Sequence, residues 1–109
     1  KDSVLDGFTI TGGRVTANWK GGGISISQAS PTLRNLTIRE NSSSFSGGGI
    51  LIGSGSNPKI EHVLVTKNTT DGNGGGIYVG YGDVSMPEFT DIQVTDNNAK
   101  GASSVGGGI

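Results

Sequence analysis

The chain contains no cysteine, which excludes a disulfide framework and any metal site built on thiolates. Charge of one sign is also missing: eight basic and nine acidic residues leave a net charge of −1. With no basic cluster, nucleic acid and anionic membrane surfaces are poor partners. No apolar run is long enough to cross a bilayer, and no signal segment stands at Lys1, so direct membrane insertion is not expected. Histidine occurs once and aromatic residues make up 6% of the chain.

Glycine is abundant, at 21 residues, and it is not scattered. Gly-Gly-Gly-Ile occurs at Gly21–Ile24, Gly47–Ile50, Gly74–Ile77 and Gly106–Ile109, spaced 26 to 32 residues apart. The three prolines, Pro31, Pro58 and Pro87, fall at one place between those copies. Self-similarity at this period marks a repeat architecture. Alignment on the prolines, with Ser3 in the same slot of the first repeat, puts apolar residues in five columns: Leu5/Leu33/Ile60/Phe89, Phe8/Leu36/Val63/Ile92, Ile10/Ile38/Val65/Val94, Ile24/Ile50/Ile77/Ile109 and Ile26/Ile52/Val79. Apolar residues two apart, mostly β-branched, give the strand period. Each repeat reads as three short strands, for example Ile50–Ile52, Thr32–Arg34 and Leu36–Ile38, which bury a face only by stacking on neighbouring repeats.

Two polar columns fit this reading. Gly7, Asn35, His62 and Asp91 occupy the bend between the second and third strands, and all four are residue types that suit a left-handed backbone. Past the last strand stand Gly13, Asn41, Asn68 and Asn97, where stacked asparagine amides can bond from one rung to the next. Proline before a strand sits where its missing N–H does least harm.

Gly-Gly-Gly-Ile combined with (Ile/Val)-x-x-Asn and a variable loop resembles the right-handed parallel β-helix of the pectin-lyase-like superfamily. The pattern is similar to the Gly-rich repeats of bacterial secreted and surface proteins such as the chlamydial polymorphic outer-membrane proteins. In those, alanine stands at the third glycine and phenylalanine at Ile10, Ile38, Val65 and Val94, and the first copy here, Ile10-Thr11-Gly12-Gly13, lacks the asparagine. The expected fold is therefore all-β, a right-handed parallel β-helix of about four three-strand rungs, uncapped, with residues 1–109 forming one segment of a longer solenoid or a protomer of an end-to-end assembly. The resemblance implies export, to the extracellular space or cell surface. It carries no catalytic residue across.

The charged columns decide the expected function. Asp6/Arg34/Glu61/Thr90, Lys59/Glu88 and Glu40/Lys67/Asp96 place opposite signs next to each other at about 5 Å. A lyase of this superfamily needs the reverse, carboxylates gathered around calcium with a basic residue to take a proton. The outward column of the first strand, Ser25/Leu51/Tyr78, holds no ionisable acid. A non-catalytic scaffold is expected, part of an adhesin, stalk or filament. Its partners would be further rungs or copies of itself, and carbohydrate or a host surface. The competing expectation is a segment of a polysaccharide lyase or hydrolase whose catalytic rungs lie elsewhere.

Trp19, Tyr78 and Tyr81 are the candidate ligand-binding residues, since aromatic faces can stack on sugar rings. Their structural reading is Trp19 stacked on Phe45 over a loop. Asp71, Asn73 and Asp83 lie in glycine-containing loops where calcium is conceivable, but no calcium repeat is present, and no cofactor is expected. His62 lacks a second histidine and reads as a turn residue. Asn35, Asn41 and Asn68 each begin an Asn-x-Ser/Thr triplet open to glycosylation in a eukaryotic source.

Overall fold

The computed structural model describes residues 3–16, 21–80, 84–101 and 106–109. Twelve strands among them form three parallel sheets, each running up one side of a solenoid. The first sheet stacks β4 (Ile24–Ser27), β7 (Ile50–Gly53) and β10 (Ile77–Val79). The second stacks β1 (Val4–Asp6) and β2 (Thr9–Thr11) under β5 (Thr32–Arg39), β8 (Lys59–Thr66) and β11 (Glu88–Thr95). The third is built from pairs of residues: β3 (Arg14–Val15), β6 (Ser42–Ser43), β9 (Thr69–Thr70) and β12 (Asn98–Ala99).

Each level pairs with the next in one register: Leu33 with Leu5 and Ile60, Ile50 with Ile24 and Ile77. The apolar columns therefore meet inside the solenoid, where Leu33, Leu36, Ile38, Ile50, Ile52, Ile60, Val63, Val65 and Ile77 are buried. Burial requires a neighbour on both sides. Ile38 and Val65, between two rungs, are fully buried, whereas Phe8 and Phe89 in the outer rungs are 56% and 37% exposed.

The sequence reading needs three corrections here. Its second and third strands are a single eight-residue strand in β5, β8 and β11, bent in the middle and not broken. The real third sheet is the pair of residues after Gly13, Asn41, Asn68 and Asn97, Ser-Ser and Thr-Thr in the middle rungs, and two residues are too short to show a period. The levels number three in the first sheet and four in the other two, about three full turns and not four.

Left-handed backbone turns each corner. Gly7, Asn35, His62 and Asp91 have φ of 81°, 54°, 53° and 52°. A second left-handed column, Gly12, Glu40, Lys67 and Asp96, sits one residue before the asparagines. Glutamate and lysine have little intrinsic liking for this region, so side-chain type does not reveal that turn.

The Gly-Gly-Gly turns exist because backbone from three directions converges on them. Gly47, Gly74 and Gly106 take φ near +70°. At the third glycine a Cβ would meet both the next rung's backbone and the asparagine ladder: on Gly76 it would lie 2.8 Å from Asn97 Nδ2 and from Gly108 O, and on Gly23 2.9 Å from Asn41 Nδ2 and from Gly49 O. The glycine triplet and the asparagine are thus two halves of one packing arrangement.

Candidate functional site

The bend of the second sheet is where chemistry-bearing side chains converge. Backbone turned left-handed at Asn35, His62 and Asp91 throws these three side chains outward in adjacent rungs. They form one wall of an open groove of about 330 Å³ that runs along the stack. Thr37, Leu64 and Gln93, two positions further along each strand, form the other wall. Leu36 and Val63 lie between the walls with their side chains buried in the core.

Two polar contacts organise the wall. His62 Nδ1 lies 2.7 Å from Asp91 Oδ2, with both side chains more than half exposed. A carboxylate oxygen accepts only, so Nδ1 carries the proton of this bond. One level below, Asn35 Nδ2 donates to Asp6 Oδ1 at 2.9 Å, and Arg34 Nε donates to Asp6 Oδ2 at 3.1 Å. The hydrogen bond from Asn35, then that from Arg34, holds the Asp6 carboxyl below its ordinary pKa.

Of the opposite-sign neighbours expected from the charged columns, only Asp6 and Arg34 close into an ion pair among the described residues. Glu40, Lys67 and Asp96 hold left-handed turns instead. His62 and Asp91 share a column in the sequence, but their direct contact was not anticipated. The signal was available: a histidine and a carboxylate at equivalent positions one rung apart.

Asn41, Asn68 and Asn97 form a continuous ladder from rung to rung. Asn68 Oδ1 accepts from the backbone N–H and Nδ2 of Asn41, both at 3.0 Å. Asn97 Oδ1 accepts from the same two groups of Asn68 at 2.9 Å. Each Nδ2 also donates to a strand carbonyl below, Ile10, Ile38 or Val65. At the first level Gly13 supplies only its backbone N–H, to Asn41 Oδ1. Asn41 and Asn68 are buried, and their amide nitrogens are fully engaged in the fold.

A model of the right-handed β-helix region matches residues 2–109 of the chain. The chain belongs to the right-handed β-helix family. Neither the comparison with curated proteins nor that with solved structures gives a match.

Of the three aromatic candidates in this right-handed β-helix, Tyr78 lies among the described residues. Trp19 and Tyr81 lie outside the described residues, as does Asp83. Tyr78 is half-buried and meets Phe45 edge to face, with ring centroids 6.4 Å apart. Leu51, in the outward column of the first sheet, is fully buried. The turn backbone lies against it, since a Cβ on Gly21 would come within 3.0 Å of Leu51 Cβ. Among the described residues no group of three or more His, Cys, Asp or Glu is placed to hold a metal ion. Among the described residues no helix is long and apolar enough to cross a membrane.

Proposed function

We propose that this β-helix is a non-catalytic scaffold, an extracellular or cell-surface segment of an adhesin, stalk or filament. The observation that carries this reading is where the polar side chains are spent. Asn35, His62, Asp91, Glu40, Lys67 and Asp96 hold left-handed corners, the ladder asparagines bond within the stack, and Leu51 in the outward column of the first sheet is buried. The single histidine and several of the acids thus sit at turns of the solenoid. Its stacking partners are further β-helix rungs or copies of itself, because a rung buries its apolar residues only between two others. Carbohydrate or a host surface would meet the outward columns.

The test is incubation of the purified chain with polygalacturonate and alginate, with and without calcium. No ultraviolet-absorbing unsaturated product should form. Product that disappears in Glu61→Gln or Asp91→Asn would replace the scaffold with a carbohydrate-active enzyme.

A further inference from the structure

One wall of the bend groove is rich in hydrogen-bond acceptors. Because Asp91 accepts the Nδ1 proton of His62, the neutral imidazole turns a bare acceptor, Nε2, away from that bond. Asn35 donates one N–H of its amide to Asp6 and keeps the other, while its Oδ1 is the second acceptor. Asp91 keeps a second carboxylate oxygen. Among the described residues no hydrogen bond reaches any of these three atoms. The wall therefore offers acceptors on three successive levels, about 4.8 Å apart. Asp91 is the one formally charged residue of the lining, so the wall repels anions and suits a positively charged donor.

We propose that this groove binds the guanidinium of an arginine presented by a cationic peptide partner. A guanidinium carries five N–H donors in a planar fork and no acceptor, so it can span two levels of the wall, whereas an ammonium acts at a point. The opposite wall suits the rest of the side chain. Leu64 provides an aliphatic surface for the methylene stem, and Thr37 and Gln93, on either side of it, can accept from or donate to the peptide backbone. The proposal rests on the scaffold reading in one respect: it makes the groove a docking face and not a reaction centre.

The experiment is a titration of the isotope-labelled 109-residue chain with the blocked peptide acetyl-Gly-Arg-Gly-amide, followed by backbone amide NMR shifts. Acetyl-Gly-Glu-Gly-amide is the control. Saturable shifts should centre on residues 35–37, 62–64 and 91–93, with none from the glutamate peptide. Asp91→Asn should weaken the arginine peptide about fivefold, the scale of an exposed charge contact. His62→Asn should weaken it too. Both variants fold, because asparagine already occupies this left-handed position at Asn35, and unchanged spectra elsewhere verify it. Equal response to the two peptides, shifts centred away from the groove, or undiminished affinity in Asp91→Asn would each overturn the proposal. The cleavage assay is independent: uronate turnover removes the scaffold reading, whereas absent arginine binding removes only this inference.

Discussion

Replacing Asn68 with alanine is the severest test of the ladder. Asn68 is fully buried, and its side chain makes four hydrogen bonds: it accepts from the backbone N–H and Nδ2 of Asn41 and donates to Ile38 O and Asn97 Oδ1. After truncation Asn97 Oδ1 still accepts from the backbone N–H of Asn68. Asn41 keeps its bond to Ile10 O, but its backbone N–H and the other amide proton lose their acceptor. A buried polar group left without a partner costs about 1–3 kcal/mol. Two such donors set the loss at about 2–6 kcal/mol, a large part of the roughly 5–15 kcal/mol that stabilises a domain. Asn97→Ala removes a similar set of bonds at a half-buried position, where water can replace them, so its cost should be about half as large. Urea unfolding followed by circular dichroism gives both values from the midpoints, provided the slope is unchanged. Equal losses in the two variants, or less than about 1 kcal/mol for Asn68→Ala, would refute the idea that a buried ladder ties the rungs together.

Ile77 is fully buried and pairs with Ile50 across the first sheet, so Ile77→Asp places an unpaired charge in the apolar column and should cost about 4 kcal/mol. A melting temperature within a degree or two of the parent would show that the inward register is wrong. Asp6 gives a pH effect of definite sign. Its folded pKa is lowered, chiefly by Asn35 and then by Arg34, so its stabilising contribution is present above the unfolded pKa and is lost as pH falls through the folded value. The stability difference between the parent and Asp6→Asn should therefore be largest near neutrality and shrink below pH ~4. A difference that grows on acidification would contradict the pairing.

The inward columns were legible because a stacked strand repeats the same demand on every level. Leu33 over Leu5, Ile50 over Ile24 and Val65 over Ile38 are one requirement met several times, and alignment makes it visible. The bend was legible for a related reason: Gly, Asn, His and Asp share few properties beyond tolerance of positive φ. The neighbouring column of Glu40, Lys67 and Asp96 has equally left-handed backbone but looked like a charge ladder. There the fold holds lysine and glutamate against their preference, so composition pointed to ion pairs that do not form. The third sheet escaped notice because Ser42–Ser43 and Thr69–Thr70 alternate only once. Their buried members, Ser43 and Thr70, are polar and fold back on the following turn, bonding the backbone N–H of Phe45 and Gly72.

The groove was less legible than the fold, and the reason lies in how a solenoid makes a surface. In a globular domain a site gathers residues from distant segments, and unusual clusters can stand out. Here every outward position belongs to a column, so a functional group and a structural one occupy the same slots. His62 is the clearest case. At φ 53° it does what Asn35 and Asp91 do in neighbouring rungs, which accounts for a polar residue of this kind there but not for the identity of histidine. That identity matters through the 2.7 Å contact with Asp91, a relation between rungs that no single repeat contains. A bend made only of asparagines would turn the chain as well, yet each amide would show its neighbours both donors and acceptors. Along the column Asn, His, Asp, the imidazole Nδ1–H and one amide N–H are tied to carboxylates, so acceptors outnumber donors on the outward side. Substitution within a structurally neutral set can thus give a uniform scaffold one polarised strip, and Asp91→Asn measures that polarity while leaving the turn intact.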